Sequence, residues 1–458
     1  MERHWKLILS IIMVVLVATA LGACVPAPPV EEPAPPVEEP AVEEEVEPIT
    51  LVVWDSFTGE AENRVAEILN REFEEAHGVK IERVVKSFAD LTATVPLALA
   101  EPGGPDVAQV NQGRPDMGEI VKAGLLLDLE PYAEKYGWNE LFSPGILART
   151  LWTADGKEFG TGNLYGVATT VQNVGVHYRK DKFLELGLSI PETFDEFQAM
   201  LAKVKAAGEI PIAFGNLDRW TGIHAYSSIQ HVLVSREYLD NFVYGRGNER
   251  FDTPENIQAA AILQDWVRKG YFTEDFAGIG YDDSWKSFAA GNGMFLITGT
   301  WVTADAAEAA GGPDRLGFFL VPPKEKGGRY LAIGGTDEAF SIRHDTKYPD
   351  LAAEYINWFV ASPRAIDLNV EHGTIPVVPV DETRWPEGTV FRDAAAAYVI
   401  LNRDDGVGHY IDWAAPGYYD LTVAQIEELL ALRVTPEEFV VPLQEHYAKF
   451  LLELEKEA

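Results

Sequence analysis

Tryptophans beside carboxylate or amide side chains are the residues of this chain whose types and spacing best suit the binding of a small ligand. An aromatic ring can cover the apolar C–H face of a sugar, while Asp, Asn, Gln and Glu side chains hydrogen-bond to its hydroxyls. The candidates lie after predicted strands or in glycine-containing loops, where a ligand can reach them. They are Trp54, Asp55, Ser56, Gln112, Trp220 and Trp413.

The segment that must position the first of these residues alternates strand and helix. Residues 49–54 form a β-branched apolar run typical of a buried strand. A helix is predicted from about Glu60 to Gly78, and strands at 79–85 and 106–110 enclose a second helix at 91–100. This β-α-β-α-β order predicts a parallel sheet with right-handed crossovers.

A second α/β region follows the glycine-rich stretch 155–166. Thr193 to Glu196 form a capping box that opens a helix, and Thr253-Pro254 opens another. Short strands are predicted at 174–178, 212–214 and 295–297, and the end of the chain is predicted helical over 427–432 and 437–457. We therefore expect two α/β lobes, with the chain crossing between them more than once.

The beginning of the chain resembles an export signal. Arg3 and Lys6 precede a continuous apolar run, which is too short for a comfortable membrane span of about 20 residues. Cys24 follows Leu-Gly-Ala and is the only cysteine of the chain, an arrangement that resembles the lipobox of bacterial lipoproteins. The resemblance implies a signal peptide over residues 1–23 and a lipid on Cys24. The alternatives are an ordinary signal peptide or a short membrane helix.

Residues 24–48 are rich in Pro and Glu, and residues 27–33 are repeated at 34–40. Such a segment has no aromatic residue and cannot bury a core, so we expect a disordered, extended linker.

Charge and composition exclude several classes of function. The formal net charge is −35, which argues against nucleic-acid binding and against the steering of anionic ligands. It is compatible with a neutral or a cationic ligand. With one cysteine the chain has no intramolecular disulfide, so the fold depends on its core.

No catalytic motif stands out. The sequence contains no Gly-x-Ser-x-Gly, no His-Glu-x-x-His and no Gly-x-x-x-x-Gly-Lys-Ser/Thr. His224 and His231 lie seven residues apart, too far for one metal on a single helix face. We expect no catalytic residue, no cofactor and no metal. A surface-anchored glycoside hydrolase remains the less favoured alternative, because an acidic chain offers many carboxylate pairs.

Several short patterns in chain order resemble the extracellular solute-binding proteins of ABC importers, specifically the family serving oligosaccharides. They are Trp54-Asp55-Ser56-Phe57, the Gly-Gly-Pro-Asp-Val segment at 103–107, Ala-Gly-Leu-Leu-Leu-Asp-Leu at 123–129, Tyr-Gly-Val at 165–167, Pro-Glu-Thr-Phe-Asp-Glu-Phe at 191–197, Gly-Thr-Trp at 299–301 and Gly-Thr-Ile-Pro-Val at 373–377. The chain departs from the family pattern with His-Tyr-Arg-Lys-Asp at 177–181 and with Ala168 in place of proline.

The resemblance implies a fold of two α/β lobes, of the periplasmic-binding-protein type, with a hinge and a ligand cleft between the lobes. We expect lobe 1 over residues 49–165, with about 325–380 returning to it, and lobe 2 over 166–324, completed by about 381–458. The resemblance adds candidate ligand-binding residues to those already given: Gln172, Asn173, Asp283, Trp285, Trp301, Gly335 and Asp337.

The function that follows is reversible binding of a carbohydrate, in oligosaccharide form, and its delivery to an ABC transporter permease. We expect an exported, lipid-anchored monomer. A binding protein for a polyamine or another cationic solute is the alternative that charge leaves open. Sequence does not give the sugar, its length, its linkage or the type of cell envelope.

Overall fold

The computed structural model describes residues 49–457. The predicted signal peptide, Cys24 and the linker up to residue 48 lie outside the described residues. Within them, no helix has both the length and the apolar character that a membrane crossing requires.

The strands are short. They are β1 (Thr50–Asp55), β2 (Lys80–Val85), β3 (Val107–Val110), β4 (Leu151–Trp152), β5 (Asn163–Leu164), β6 (Val174–Arg179), β7 (Phe295–Gly299), β8 (Leu316–Phe319), β9 (Ala332–Ile333), β10 (Ala339–Ile342) and β11 (Val407–Gly408).

The helices carry most of the chain. They are α1 (Glu60–His77), α2 (Phe88–Ala100), α3 (Glu119–Lys122), α4 (Glu130–Tyr136), α5 (Trp138–Leu141), α6 (Pro144–Leu147), α7 (Lys180–Glu185), α8 (Phe194–Ala206), α9 (Thr221–Leu233), α10 (Arg236–Tyr244), α11 (Pro254–Arg268), α12 (Tyr281–Ala289), α13 (Thr303–Ala309), α14 (Pro349–Ala361), α15 (Pro363–His372), α16 (Val390–Asp404), α17 (Tyr418–Leu430) and α18 (Pro436–Glu457).

The first sheet has the strand order β10-β3-β1-β2. The strand β1 is parallel to both β2 and β3, which confirms the predicted β-α-β-α-β unit, and β10 adds an antiparallel edge. Helix α1 buries Val65, Leu69 and Phe73 on one stripe, and Gly78 ends it in a left-handed conformation, its N–H donating to the Glu74 carbonyl. These features form the first lobe.

The second sheet is antiparallel, with the order β7-β6-β8. The strand predicted at 212–214 is reduced to isolated bridges from Ile212 to Phe272 and to Phe295. Pro211 precedes this position and has no N–H for a longer ladder.

Two of the predicted helix starts are formed by the expected caps. The Thr193 hydroxyl accepts the Glu196 N–H at 3.2 Å, and the Thr253 hydroxyl accepts the Asn256 N–H at 3.3 Å. The helix predicted over 427–432 instead begins at Tyr418, because Gly417 provides the left-handed turn that precedes it and Tyr418 is buried.

Isolated β-bridges join the segments in which we expect the chain to cross between the lobes. Asn173 bridges to Gly334, Val167 bridges to Phe340, and Thr170 bridges to Pro376. The fold class is therefore α/β with two lobes, and the crossing segments lie side by side as a hinge requires. The lobe boundaries given above stay predictions.

Candidate functional site

Aromatic side chains from distant parts of the chain form a continuous row in the structure. The Trp220 ring centroid lies 6.2 Å from that of Trp301, and Trp301 lies 5.4 Å from His224. His224 lies 5.9 Å from Tyr410, which lies 5.3 Å from Trp413. We call these five residues the aromatic wall. It brings together residues separated by almost half of the described chain.

Element ends position the wall. Trp220 immediately precedes α9, and Trp301 follows directly after β7, where a side chain is free to face away from the sheet. The Trp301 indole N–H donates to the Tyr281 hydroxyl at 2.7 Å, and Tyr281 is the first residue of α12. This bond fixes the Trp301 ring while leaving it half-buried.

Trp413 packs closely against the backbone of a glycine in the opposite lobe. Gly113 has φ of 95°, and a Cβ on it would stand 2.6 Å from the Trp413 ring. The Arg149 guanidinium lies 5.4 Å from the same ring and donates to the carbonyls of Gly334 and Gly408. The close approach therefore needs glycine at this position for two reasons, conformation and space.

Carboxylates lie near the aromatic wall. Glu338 accepts the Ser56 hydroxyl at 2.9 Å, and Glu62 accepts the Gln172 amide at 3.1 Å. The Asp116 carboxylate accepts the Asn111 amide at 2.7 Å. We call Glu62, Asp116, Glu338 and the buried Asp412 the acidic rim.

Burial raises the pKa of every carboxyl group in the acidic rim. The pKa of Asp116 and that of Asp412 rise to about 7, and the pKa of Glu62 rises well above its ordinary value. Each group also feels its neighbours, because Glu338 raises the pKa of Asp116 and Asp116 raises that of Asp412. The influence runs from Glu62 through Glu338 and Asp116 to Asp412, so each group lies near the next.

Asp337 has a different environment from its neighbour Glu338. It accepts the N–H groups of Thr169 and Thr170 at 2.9 and 3.2 Å and also the Thr169 hydroxyl. Burial raises its pKa to about 7 in spite of these bonds. Because its oxygens already have donors, Asp337 ties the crossing segments together and has little capacity left for a ligand.

Six of the sequence-predicted site residues belong to or adjoin the aromatic wall and the acidic rim. Trp220, Trp301 and Trp413 form the wall, while Ser56 and Gln172 hold acidic-rim carboxylates and Asp337 adjoins them.

Other predicted residues have structural partners instead. The Asp55 carboxylate is buried and takes two hydrogen bonds from Arg83, at 2.5 and 2.8 Å, so it is already neutralised. Trp285 packs in the core beside Phe288, with its N–H on Asp282. We therefore leave Asp55 and Trp285 out of the proposed site.

Four more predicted residues lie outside the aromatic wall and the acidic rim: two lie in or hydrogen-bond to the crossing segments, one is exposed and one packs beneath a lysine. Gln112 donates to the Asp337 carbonyl at 2.6 Å. Gly335 has φ of 134° and faces the Arg149 guanidinium, which a Cβ would meet at 2.7 Å. Asp283 is exposed at the start of α12. Trp54 is half-buried beneath the Lys86 ammonium, 4.3 Å from the ring centroid.

Asn173 is the remaining predicted residue. It is 1% exposed at the crossing next to Gly334, and both of its side-chain amide atoms lack a hydrogen-bond partner. It stays a candidate, because an unpaired buried amide costs free energy that a ligand bond would recover.

Sequence reasoning missed Glu62, Asp116, Tyr281, Glu338 and Tyr410. Glu338 and Tyr410 lie close in sequence to Asp337 and Trp413, so a wider window around each candidate includes them. An acidic residue in the first turn of a helix, such as Glu62, is ordinarily read as favourable to the helix dipole. Asp116 follows a proline and reads as a turn residue.

The lobes also touch beside the cleft. Both Asp305 carboxylate oxygens, near the start of α13, accept N–H groups at the start of α1, from Glu60 and Ala61 at 3.1 Å each. The N-cap residue of α1 is Gly59, which has no side chain to do this. A residue of the second lobe thus caps a helix of the first.

The site offers stacking faces and hydrogen-bond acceptors, and its imidazole is neutral. Burial lowers the pKa of His224 to about 3, so its ring is uncharged at neutral pH. Over residues 49–457, no three His, Cys, Asp or Glu side chains converge in a way that could hold a metal ion. The arrangement suits non-covalent binding of an organic ligand.

Known proteins resemble this chain in sequence and in fold. The sequence profile of the family described as bacterial extracellular solute-binding protein matches residues 55–363. The multiple sugar-binding protein of Streptococcus mutans is 27% identical over 272 residues, which span 54% of this chain and 63% of that protein. An uncharacterised ABC transporter extracellular-binding protein of Pyrococcus horikoshii is 24% identical over 373 residues, 79% of this chain and 81% of that protein.

Among solved structures, a chitin oligosaccharide binding protein has a TM-score of 0.75 and 20% identity, and the match covers 88% of this chain and 100% of that chain. This likeness establishes the two-lobed fold. The family profile spans more than half of the chain and includes both sheets. This chain belongs to the bacterial extracellular solute-binding protein family.

Proposed function

We propose that this protein binds a carbohydrate, in oligosaccharide form, in the cleft between its lobes and delivers it to the permease of an ABC importer. The observation that carries the proposal is the aromatic wall near the acidic rim. Aromatic rings suit the C–H faces of sugar rings, and carboxylates and amides suit their hydroxyls.

The length of the wall supports a ligand of more than one sugar ring. Trp220 and Trp413 stand at its two ends, with Trp301, His224 and Tyr410 between them at centroid spacings of 5.3 to 6.2 Å. A single sugar ring stacks on one or two such side chains. Trp220, Trp301 and Tyr410 are half-buried, so they offer faces for more than one unit, while His224 and Trp413 are buried behind them.

The family and the names of relatives support the same proposal. A multiple sugar-binding protein and a chitin oligosaccharide binding protein are among the proteins similar to this chain, and another relative is a component of an ABC transporter. Binding without chemical change accounts for the site, because stacking and hydrogen bonding are sufficient for reversible capture.

A thermal-shift screen tests the proposal. A ligand that binds only the folded protein raises its melting temperature. At a ligand concentration one hundred times Kd, the free energy of unfolding rises by about 2.7 kcal/mol. We expect at least one oligosaccharide in a panel of varied units and linkages to do so. A shift with spermidine but with no saccharide would refute carbohydrate binding.

The cationic-solute alternative draws on the acidic rim, because four carboxylates favour a positive ligand. The hydrolase alternative draws on the same groups. The spermidine arm of the screen tests the cationic-solute alternative. The hydrolase alternative is tested by chromatography of the saccharide after overnight mixing with the protein, which should return it unchanged. Shortened products would identify a glycoside hydrolase.

We also infer that Cys24 carries a lipid that holds the exported protein at the outer face of the membrane. Two or more acyl chains are enough for stable anchoring. Metabolic labelling with a fatty acid should mark the protein, and Cys24→Ala should release it into the medium or periplasm. Unlabelled protein would refute the anchor. We expect a monomer by light scattering.

A further inference from the structure

We propose that the saccharide bound by this protein carries a positively charged amino group, which lies against the acidic rim while the sugar rings stack on the aromatic wall. This inference rests on the proposed carbohydrate function and narrows it to amino sugars with a free amine. It is argued from the charges that line the cleft and from the partners they lack.

The acidic rim has acceptor oxygens to spare. Glu62, Asp116 and Glu338 each take one hydrogen bond from an uncharged side chain, namely Gln172, Asn111 and Ser56 respectively. A carboxylate has room for about four such bonds. An ammonium group brings three donors and no acceptor, so its hydrogen-bonding pattern is complementary to these oxygens.

Asp412 gives the strongest indication of a missing partner. Its side chain is 5% exposed, and its Oδ1 atom has no hydrogen-bond partner. It lies in the short helical turn Ile411–Ala414 beside Tyr410 and Trp413, close enough to Asp116 for the two charges to interact. A buried carboxylate without a donor costs several kcal/mol unless it is paired or neutralised.

No acidic-rim carboxylate forms an ion pair with a lysine or arginine of residues 49–457. Elsewhere, half-buried and buried carboxylates do: Asp55 pairs with Arg83, Asp240 with Arg236, and Asp393 with Lys180. The buried cation nearest the wall, Arg149, donates to backbone carbonyls. Some carboxylates without a cation, such as Asp337, instead have donors on both oxygens, whereas the acidic-rim carboxylates have neither a cation nor a full set of donors.

A metal ion is not the missing cation, because no three His, Cys, Asp or Glu side chains of the described residues converge to hold one. The four carboxylates are spread along a space flanked by aromatic rings. An amine on a sugar ring fits such a space, since aromatic faces also attract cations.

Protonation of the rim sets the expected pH dependence. Besides each other, the rim carboxylates face Asp305, Asp337 and Asp420, and the hydroxyl of Tyr410 faces Asp412, Glu338, Arg149 and Tyr281. Burial raises the pKa of Asp116 and Asp412 to about 7. An ammonium favours their ionised forms, so its affinity should rise as pH goes from about 5 to about 7. A neutral sugar needs no ionisation and should bind equally well or better at the lower pH.

A matched series of trisaccharides tests the inference by calorimetry. The β-1,4 trimers of glucosamine, N-acetylglucosamine and glucose differ only in the group on carbon 2, which is charged in the first alone. Aminated and neutral saccharides of other linkages complete the panel, together with spermidine. We expect an aminated saccharide to bind tightest, with affinity that rises from pH 5 to 7 and falls with added salt.

Variants of the acidic rim supply the second readout. Asp412→Asn should weaken binding of the aminated saccharide about tenfold or more, because it removes one charge of a desolvated pair, and should leave the N-acetyl form unchanged. Glu338→Gln serves if Asp412→Asn fails to fold. Asp195→Asn removes the same charge from an exposed helix start and should change neither affinity.

The outcomes separate this inference from the function on which it rests. If a neutral saccharide binds as tightly as its aminated counterpart, the amino-sugar inference is wrong and carbohydrate binding stands. If spermidine binds and no saccharide does, or if nothing in the panel binds, both are wrong. Equal losses for aminated and N-acetyl trimers in Asp412→Asn would also overturn the inference.

Discussion

Removing the Asp305 carboxylate should open the cleft. Asp305 belongs to α13, which packs against α12 and α16 of the second lobe, and its two oxygens accept N–H groups from Glu60 and Ala61 at the start of α1 in the first lobe. Since α1 has no side-chain cap of its own, the Asp305→Ala variant leaves these two groups to water.

The size of the effect follows from the geometry. Losing a capping side chain costs about 0.5–2 kcal/mol, and a half-exposed carboxylate at a helix start adds about 0.3–1 kcal/mol through the helix dipole. We expect a total of about 1–2 kcal/mol. The lobes must be closed for the ligand to touch both walls, so this cost should appear as a 5- to 30-fold loss of affinity, on the order expected for 1–2 kcal/mol.

Calorimetry with the saccharide found in the panel measures the affinity, and small-angle scattering of the unliganded protein should show a larger radius of gyration. Ser87→Ala is the matched control. Ser87 caps α2 within the first lobe, its hydroxyl accepting the Asp90 N–H at 3.1 Å. It should lower the free energy of unfolding by a similar amount and leave affinity and scattering unchanged. If both variants alter affinity equally, or neither does, Asp305 does not couple the lobes.

Three further outcomes follow from the site and the core. Trp301→Ala should weaken saccharide binding with little change in melting temperature. Trp285→Ala removes a core side chain, so it should cost about 3–5 kcal/mol of stability and leave the affinity of the remaining folded protein unchanged. The reverse pattern would show that Trp285 binds the ligand and that Trp301 is structural. Gly113→Ala should weaken binding by displacing the Trp413 ring, at a stability cost of about 1–3 kcal/mol, and an unchanged affinity would show that the contact is dispensable. The contribution of the carboxyl groups whose pKa is about 7 should make stability fall as pH rises from about 4 to about 7, because over this range the folded protein holds protons on them that the unfolded chain has released. Asp412→Asn should flatten this slope in thermal melts, and an identical slope in the variant would argue against a raised pKa for Asp412.

Much of the fold was predictable because local patterns act over a few residues. The apolar stripe of α1, the Gly78 stop and the Thr193 and Thr253 caps each depend on side chains within one or two turns of each other. The parallel β1, β2 and β3 followed from the order of elements. The antiparallel second sheet did not, since its strands are separated by long insertions whose length carries no information on strand direction.

The types of residue in the candidate site were predictable from the sequence, but which individual residues belong to it was not. Trp285 and Trp301 both stand near carboxylates in the sequence, yet one lies in the core within α12 and the other in the aromatic wall after β7. Asp55 looked free because Arg83, which neutralises it, lies 28 residues away on the next strand. A sequence pattern shows which groups are present but not which distant partners satisfy them.

The sequence by itself determined that this chain forms two α/β lobes and that tryptophans and carboxylates follow its strands, and it predicts an export signal before the single cysteine. Only the tertiary structure decided which carboxylates find a cation and which do not. That distinction depends on which side chains more than a hundred residues apart, such as Asp116 and Asp412, are brought near each other. Folding brings these charges together because the burial of the surrounding aromatic side chains outweighs the cost of desolvating them.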